Sequence, residues 1–349
     1  MYKVFLRPLL FRFGGDAAHN ITMSLMRIAG SIPLARPLIR FWNKVNAPSL
    51  QREVFGLNFP NPVGLAAGLD KNCEQYNLLS DYGFGFIEVG SLTPEPQPGN
   101  PKPRIFRIPK DKAIVNRMGI NNKGVRHAIA RIQSDPPSCI ISASIARNTK
   151  STSDQEVIRD YRTAFSLLYD FVDMITVNIS CPNVEGMSSL EEVSFLSEVL
   201  DELLSLRLCY DKYKPVLVKV SPDIEPEQLD NILDYCMMSG IDGVVATNTT
   251  RSRAGLSVHP QKISDIGNGG LSGAPLYNKS IQMVRHIKEY TGGRLPIIGC
   301  GGIMTPEQAA EMLDAGASLI QVYTGFIYEG PALVRKIKRH LRKLSTAKS

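Results

Sequence analysis

No stretch of the 349 residues holds 18 consecutive apolar residues, so a membrane-spanning helix is excluded. None of the six cysteines (Cys73, Cys139, Cys181, Cys209, Cys236, Cys300) forms a C-x-x-C pair, and no histidine–cysteine cluster has metal-ligand spacing. A zinc ribbon and a dithiol redox motif are therefore excluded, no metal is expected, and the thiols read as reduced in a cytosolic compartment. The opening MYKVFLRPLLFRF is broken by arginines and has no small-residue cleavage site, which argues against a secretory signal. Internal repeats and low-complexity tracts are also missing. With 43% hydrophobic and 21% charged residues the composition is that of a folded soluble chain, so disorder and fibrous repeats are excluded.

Acidic residues are scarce at both ends. Residues 1–52 hold Lys3, Arg7, Arg12, Arg27, Arg36, Arg40, Lys44 and Arg52 against Asp16 alone. The last fifteen residues hold Arg335, Lys336, Lys338, Arg339, Arg342, Lys343 and Lys348 with no acid. The overall charge is +7, so the body between these ends is mildly acidic. Two basic ends suggest an anionic partner, either a membrane surface or nucleic acid. Gly14-Gly15-Asp16 offers a turn and an N-cap and Gly30 a stop, with Ala17, Ala18, Ile21, Leu25 and Ile28 at helical spacing between them. A second helix over 34–42 puts Leu34, Leu38 and Phe41 on one side, and Arg36 and Arg40 on the other. Such helices either lie on a membrane or pack as a pair on the main domain. The expected division is 1–52 as a helical segment and 53–349 as the main domain.

From residue 60 the pattern changes to eight short β-branched runs: 62–66, 86–90, 139–145, 174–179, 215–220, 242–247, 296–300 and 318–323. Helical stretches, such as 190–207, 226–239, 277–290 and 306–315, lie between most of them. Eight evenly placed units predict an α/β fold of the (β/α)8 TIM-barrel type rather than an open sheet. Barrel chemistry sits at the carboxyl ends of the strands.

The residues just after each run are therefore the informative ones. The first run leads into Ala66-Ala67-Gly68-Leu69-Asp70-Lys71, where small residues admit a flat ligand and lysine adds a cation. The second leads into a long Pro- and Gly-rich loop, 91–124, containing Asn116-Arg117-Met118-Gly119-Ile120-Asn121-Asn122. Its asparagines and arginine suit a planar, carboxylated or amide-rich ligand, with turn chemistry as the alternative for Asn121 and Asn122. After the fourth run, Asn178-Ile179-Ser180-Cys181-Pro182-Asn183 sets a thiol between two amides, as substrate binder and acid/base. Lys219 interrupts the apolar fifth run and must face a polar centre. Thr247-Asn248-Thr249-Thr250 ends the sixth, and Gly269-Gly270-Leu271-Ser272-Gly273 comes later in a loop. Gly299-Cys300-Gly301-Gly302 and Tyr323-Thr324-Gly325 supply glycine turns after runs seven and eight, where barrels bind phosphate.

AAGLDK at 66–71, PQPGNPKPR at 96–104, NRMGINN at 116–122, ATNTT at 246–250, GGLSG at 269–273 and IIGCGGI at 297–303 together resemble dihydroorotate dehydrogenase, the FMN barrel family of pyrimidine synthesis. The N-terminal helical extension resembles its class 2, membrane-associated, quinone-reducing branch. The resemblance implies FMN contacts from Ala66, Ala67, Gly68, Leu69, Asp70, Ser91, Asn178, Lys219, Thr247, Gly273, Gly302, Tyr323 and Thr324. It implies dihydroorotate contacts from Lys71, Asn116, Arg117, Met118, Gly119, Ile120, Asn178, Asn183, Asn248 and Thr249. Cys181 would take the C5 proton while hydride leaves C6 for the flavin.

Four positions depart from the class. Cys181 and Val184 stand where class 2 has serine and threonine, which resembles class 1. Ser144 occupies a position that usually holds an FMN-contacting asparagine, and Ile120 one that is commonly phenylalanine. The expected partners are dihydroorotate and orotate, a membrane quinone and an anionic membrane surface, without nucleic acid. A monomer on the cytoplasmic face of the cell membrane is expected. The competing readings are an FMN-dependent tRNA-dihydrouridine synthase, a fumarate-using dihydroorotate dehydrogenase and a non-enzymatic membrane scaffold.

Overall fold

The computed structural model describes residues 2–45, 47–178 and 189–348. The eight β-branched runs form eight parallel strands: β1 (Val63–Leu65), β2 (Phe86–Leu92), β3 (Ile140–Ile145), β4 (Met174–Val177), β5 (Val216–Val220), β6 (Gly243–Ala246), β7 (Ile297–Cys300) and β8 (Leu319–Val322). Each pairs with the next in sequence, and β8 returns to β1, closing the barrel. Outward-facing strand residues pack on the surrounding helices in one large apolar cluster. The helices begin and end where local chemistry dictates. The helix Asp154–Leu168 opens on a reciprocal Ser153/Glu156 capping box. The helix Pro226–Ser239 opens on proline and stops at Gly240, whose φ of 90° is left-handed.

Side chains alternate along each strand, so the inward-facing residues stack in layers. The bottom layer is apolar, with Phe86, Met174, Leu217, Val245, Ile298 and Leu319. Two positions further along four of these strands come Glu88, Thr176, Lys219 and Gln321, all buried, together with Ser142 of β3. A hairpin, Arg52–Val54 with Leu57–Phe59, plugs the bottom through Phe59, whose ring meets Phe86 edge-on at 5.3 Å. Its two-residue turn uses Phe55 and Gly56, both at positive φ.

The mouth differs from the sequence expectation. Within the presumed loop 91–124, Ile105–Ile108 and Ala113–Asn116 are antiparallel strands. The presumed loop Gly269–Gly273 supplies a third, Gly270–Gly273. Ile108, Ala113, Val115, Ile266 and Leu271 form a small core beneath this sheet.

Of three N-terminal helices, α1 (Arg7–Phe11) and α2 (Gly15–Ser31) line the cavity at the mouth, and α3 (Ala35–Asn43) packs on the helix Tyr76–Asp81 and the C-terminal helix. Helix α2 is capped by Gly14 without a side-chain bond, and it runs one residue past Gly30. Asp16 is not a cap. Its carboxylate accepts from the Arg104 backbone N–H (2.9 Å) and Nε (3.2 Å), tying α2 to the antiparallel sheet. The predicted apolar face of α2 points partly outward. Ala18 and Met26 are buried, whereas Leu25 and Ile28 are half exposed. Helix α3 is turned over relative to an ordinary surface helix. Arg36 and Arg40 face the protein and share the buried Asp81 carboxylate at 2.7 Å each. Leu34, Leu38, Phe41 and Trp42 face solvent, with Phe41 73% and Trp42 69% exposed.

Candidate active site

A cavity of about 600 Å³ opens at the carboxyl ends of the strands and continues between α1, α2 and the barrel rim. Ala66, Ala67, Gly68 and Leu69, which come after β1, line it. Gly68 takes a φ of 109°, and its carbonyl accepts from the Tyr323 hydroxyl at 3.4 Å. Burial pushes that phenol up to about 12. Asp70, expected at the cofactor, does not reach the cavity. Its buried carboxylate accepts the backbone N–H groups of Glu74 (2.8 Å) and Gln75 (2.7 Å), which makes it the lock of the β1 loop. Burial outweighs these bonds and raises its pKa to about 6. Lys71 does reach the cavity, where its ammonium donates to Asn121 Oδ1 at 3.0 Å. Burial, helped by the charge of Arg104, lowers it to about 8.

The ends of β2, β3, β4 and β6 are joined by one hydrogen-bond chain. Asn248 Nδ2 donates to Asn178 Oδ1 (3.0 Å), Asn178 Nδ2 donates to Ser91 Oγ (2.9 Å), and the Ser91 and Ser144 hydroxyls lie 2.7 Å apart. Ser144 ends this chain fully buried behind the wall, so a direct cofactor contact is not what its hydroxyl makes here. Asn248 Oδ1 in turn accepts the Thr249 N–H at 2.8 Å, which fixes both residues at the cavity edge. Thr247 lines the same wall, and its hydroxyl lies 2.9 Å from that of Ser280.

The floor is set by a buried charge. Glu88 Oε2 accepts from Lys219 Nζ (3.2 Å), the Ala67 N–H (3.0 Å) and Gln321 Nε2 (3.2 Å). Burial alone would lower the lysine, but the charge of Glu88 outweighs it and Lys219 lies above its ordinary value. Lys219 therefore stays cationic, facing the cavity. Gln321 Oε1, also at the floor, is a buried acceptor without a protein partner.

The asparagine-rich segment divides by function. Asn116, Met118, Gly119 and Ile120 line the cavity, and Ile120 sits at a φ of 52°, a costly setting for a β-branched residue. Arg117 also borders the cavity, but its guanidinium is taken up by the carbonyls of Ile266 (2.9 Å) and Pro103, and stacks over Phe106. Asn122 is turn chemistry, bonding Thr93, Ile120 and Gly124. Gly273, Gly302 and Thr324 close the far side, with the Thr324 hydroxyl donating to Ser272 at 2.8 Å. A Cβ on Gly302 would collide with the Tyr277 backbone, and one on Gly273 with the Lys112 carbonyl. Two residues that the sequence did not single out enter from the cap side: His19 of α2 and Arg107 of the antiparallel sheet. Hydrophobic periodicity cannot mark such a residue. Cys181 and Asn183 lie outside the described residues.

This donor set fits a flavin. Glycine turns cradle one end, a permanent cation and an unpartnered acceptor mark the floor, and small residues leave a flat face open. Fold and site together define a flavin-type barrel oxidoreductase. The sequence model of the dihydroorotate dehydrogenase family matches residues 49–344. The dihydroorotate dehydrogenase (quinone) of Christiangramia forsetii is 44% identical over 98% of both chains. That of Methylococcus capsulatus is 43% identical over 97% of this chain and 98% of its own. The Eimeria tenella enzyme, solved in complex with ferulenol, superposes with a TM-score of 0.83 at 32% identity, over 95% of this chain and 92% of its own. The chain belongs to the dihydroorotate dehydrogenase family, whose members are flavin-dependent oxidoreductases. The comparisons favour neither the dihydrouridine synthase nor the fumarate-using reading.

Proposed function

We propose that this chain binds FMN, oxidises dihydroorotate to orotate, and hands the electrons to a membrane quinone that enters between the N-terminal helices. The observation that carries this is the unbroken cavity, which joins Lys219 and Asn178 at the barrel floor to Leu10, His19 and Met26 under the cap. FMN supplies the two-electron acceptor for the hydride from substrate C6. Gly273, Gly302 and Thr324 would hold its phosphate end, and Lys219 would set positive charge beside it at the floor. Lys71 pairs with the substrate carboxylate, and Asn116, Asn178 and Asn248 satisfy its ring amides. Cys181 takes the C5 proton, because a thiol titrates near ~8.5, far closer to neutrality than a serine hydroxyl.

On the cap side the polar groups are few and well placed for a quinone carbonyl. Burial, with the charge of Lys71, lowers His19 to about 4, so it is neutral at physiological pH. Arg107 donates to the Leu10 carbonyl at 3.2 Å and lies 4.5 Å from the Phe11 ring centre. The apolar residues of α2 and α3 that face solvent support peripheral attachment to the cytoplasmic face of the cell membrane. No helix among the described residues is long and apolar enough to cross one.

The test is anaerobic titration of the purified, flavin-loaded protein with dihydroorotate. Bleaching of the flavin band, reversed by a quinone and not by fumarate or NAD, is the expected result. A flavin that never bleaches would overturn the substrate. Recovery with fumarate alone would overturn the acceptor. Cys181→Ala should slow bleaching by at least about a hundredfold at neutral pH, and unchanged bleaching would remove Cys181 from proton transfer.

A further inference from the structure

We infer that the C-terminal helix α4 (Ala332–Lys348) binds anionic phospholipid headgroups through Arg339, Arg342 and Lys343, at the edge of the apolar face that α3 turns to the bilayer. This deepens the peripheral-membrane reading above and rests on it.

Position comes first. Arg335 Nη1 donates to the Trp42 carbonyl at 2.8 Å, Lys338 Nζ to the Asn43 carbonyl at 3.1 Å, and Ser345 Oγ to Ser49 Oγ at 2.8 Å. Helix α4 therefore lies along the end of α3 and the chain that leaves it. Arg335, Arg339 and Arg342 are spaced i, i+4, i+7, so they make one ridge that starts beside the exposed indole of Trp42.

Charge comes second. Leu333, Val334, Ile337 and Leu341 are buried along with Lys338, which turns the opposite side of α4 outward. Lys336, Arg339, Arg342 and Lys343 are exposed, and none forms an ion pair among the described residues. The neighbouring arginines are partly offset: Arg36 and Arg40 share the Asp81 carboxylate, and Arg27 shares Glu74 with Lys123, so each set keeps a net positive charge. Lys44, exposed just after Trp42, adds to this field, and the four cations of α4 are its densest unpaired group among the described residues. A soluble surface ordinarily mixes signs, whereas a one-signed cationic ridge next to exposed Trp and Phe matches the interfacial zone of an anionic leaflet.

The experiment uses the full-length, flavin-loaded protein and flotation with vesicles of phosphatidylcholine alone, or of phosphatidylcholine containing phosphatidylglycerol. The parent should prefer the anionic vesicles, and salt should weaken that preference. The triple variant R339E/R342E/K343E should lose at least about tenfold in affinity for anionic vesicles, since each basic residue near such a surface contributes comparably. Its binding to neutral vesicles and its reduction of a short-chain quinone in detergent should not change. R339Q/R342Q/K343Q should fall between variant and parent, which separates lost attraction from disturbed folding. A parent with no anionic preference, or a triple variant that keeps it, would overturn the inference. A parent that floats with neither vesicle overturns the peripheral reading itself. Floating equally with both removes only the role of α4.

Discussion

Helix α3 and the barrel helix Tyr277–Tyr290 are both amphipathic, yet they are mounted in opposite senses. The barrel helix buries Tyr277, Ile281, Met283, Val284 and Ile287 against the strands. Helix α3 buries only Asn43 and leaves its leucines and aromatics in solvent. The two regions also place their buried carboxylates differently. The barrel sets Glu88 at its centre, where it holds Lys219. The cap meets Asp81 at the seam, where the carboxylate grips two arginines from outside. Burial of apolar surface thus builds the barrel, whereas α3 is held by the Asp81 pairs and the partly buried Ile39 and leaves Leu38, Phe41 and Trp42 in solvent.

The contrast can be broken most severely at the centre. Glu88→Leu leaves Lys219 buried without its counter-ion and should cost about 3–5 kcal/mol in denaturant unfolding. Glu88→Leu combined with Lys219→Met should recover most of that loss, and a double variant as unstable as the single one would refute the pairing account. At the seam the effect should be smaller and local. Asp81→Asn should cost about 1–3 kcal/mol and speed amide exchange in residues 35–43, with the barrel strands unaffected. Equal acceleration in both regions would show that α3 is not separately docked.

Where cap and barrel meet, Lys71 gives a pH test. Its ammonium must be protonated to hold a carboxylate, so affinity falls as pH rises through about 8. The dissociation constant for orotate should increase about tenfold per unit above that point, and a flat profile up to about pH 9.5 would remove Lys71 from carboxylate binding. The smallest effect is expected on the outer face of α3. Phe41→Ala should leave stability within about 0.5 kcal/mol, since the ring has little packing to lose, while vesicle binding weakens. A loss of several kcal/mol would mean that the face is covered within the protein.

The eight barrel strands were legible because a strand buried on both faces must read as a short apolar run. The helices over 226–239 and 277–290 were legible from their apolar stripes. The antiparallel sheet at the mouth was not. Ile105–Ile108 and Ala113–Asn116 are short, lie among prolines and glycines, and take their third strand from about 150 residues further on. Local pattern does not record such a partner. At the site, the small residues after β1, the asparagines and Lys219 announced themselves as polar or flexible breaks at strand ends. Glu88 lay in plain view inside a strand, but only the register of β2, β5 and β8 shows that it faces Lys219 and Gln321. Amphipathicity likewise revealed α3 as a helix without saying which face it would hide, since Asp81 settles that from a distant part of the chain.

The plugged floor of the barrel has one more consequence. Phe59, Phe86, Met174 and Leu217 seal the bottom, so the Glu88–Lys219 pair can exchange protons with bulk water only through the mouth. Any ligand seated there shuts that route. A ligand in the cavity would then meet, at its deep end, a cation that the chain itself screens from solvent on every other side.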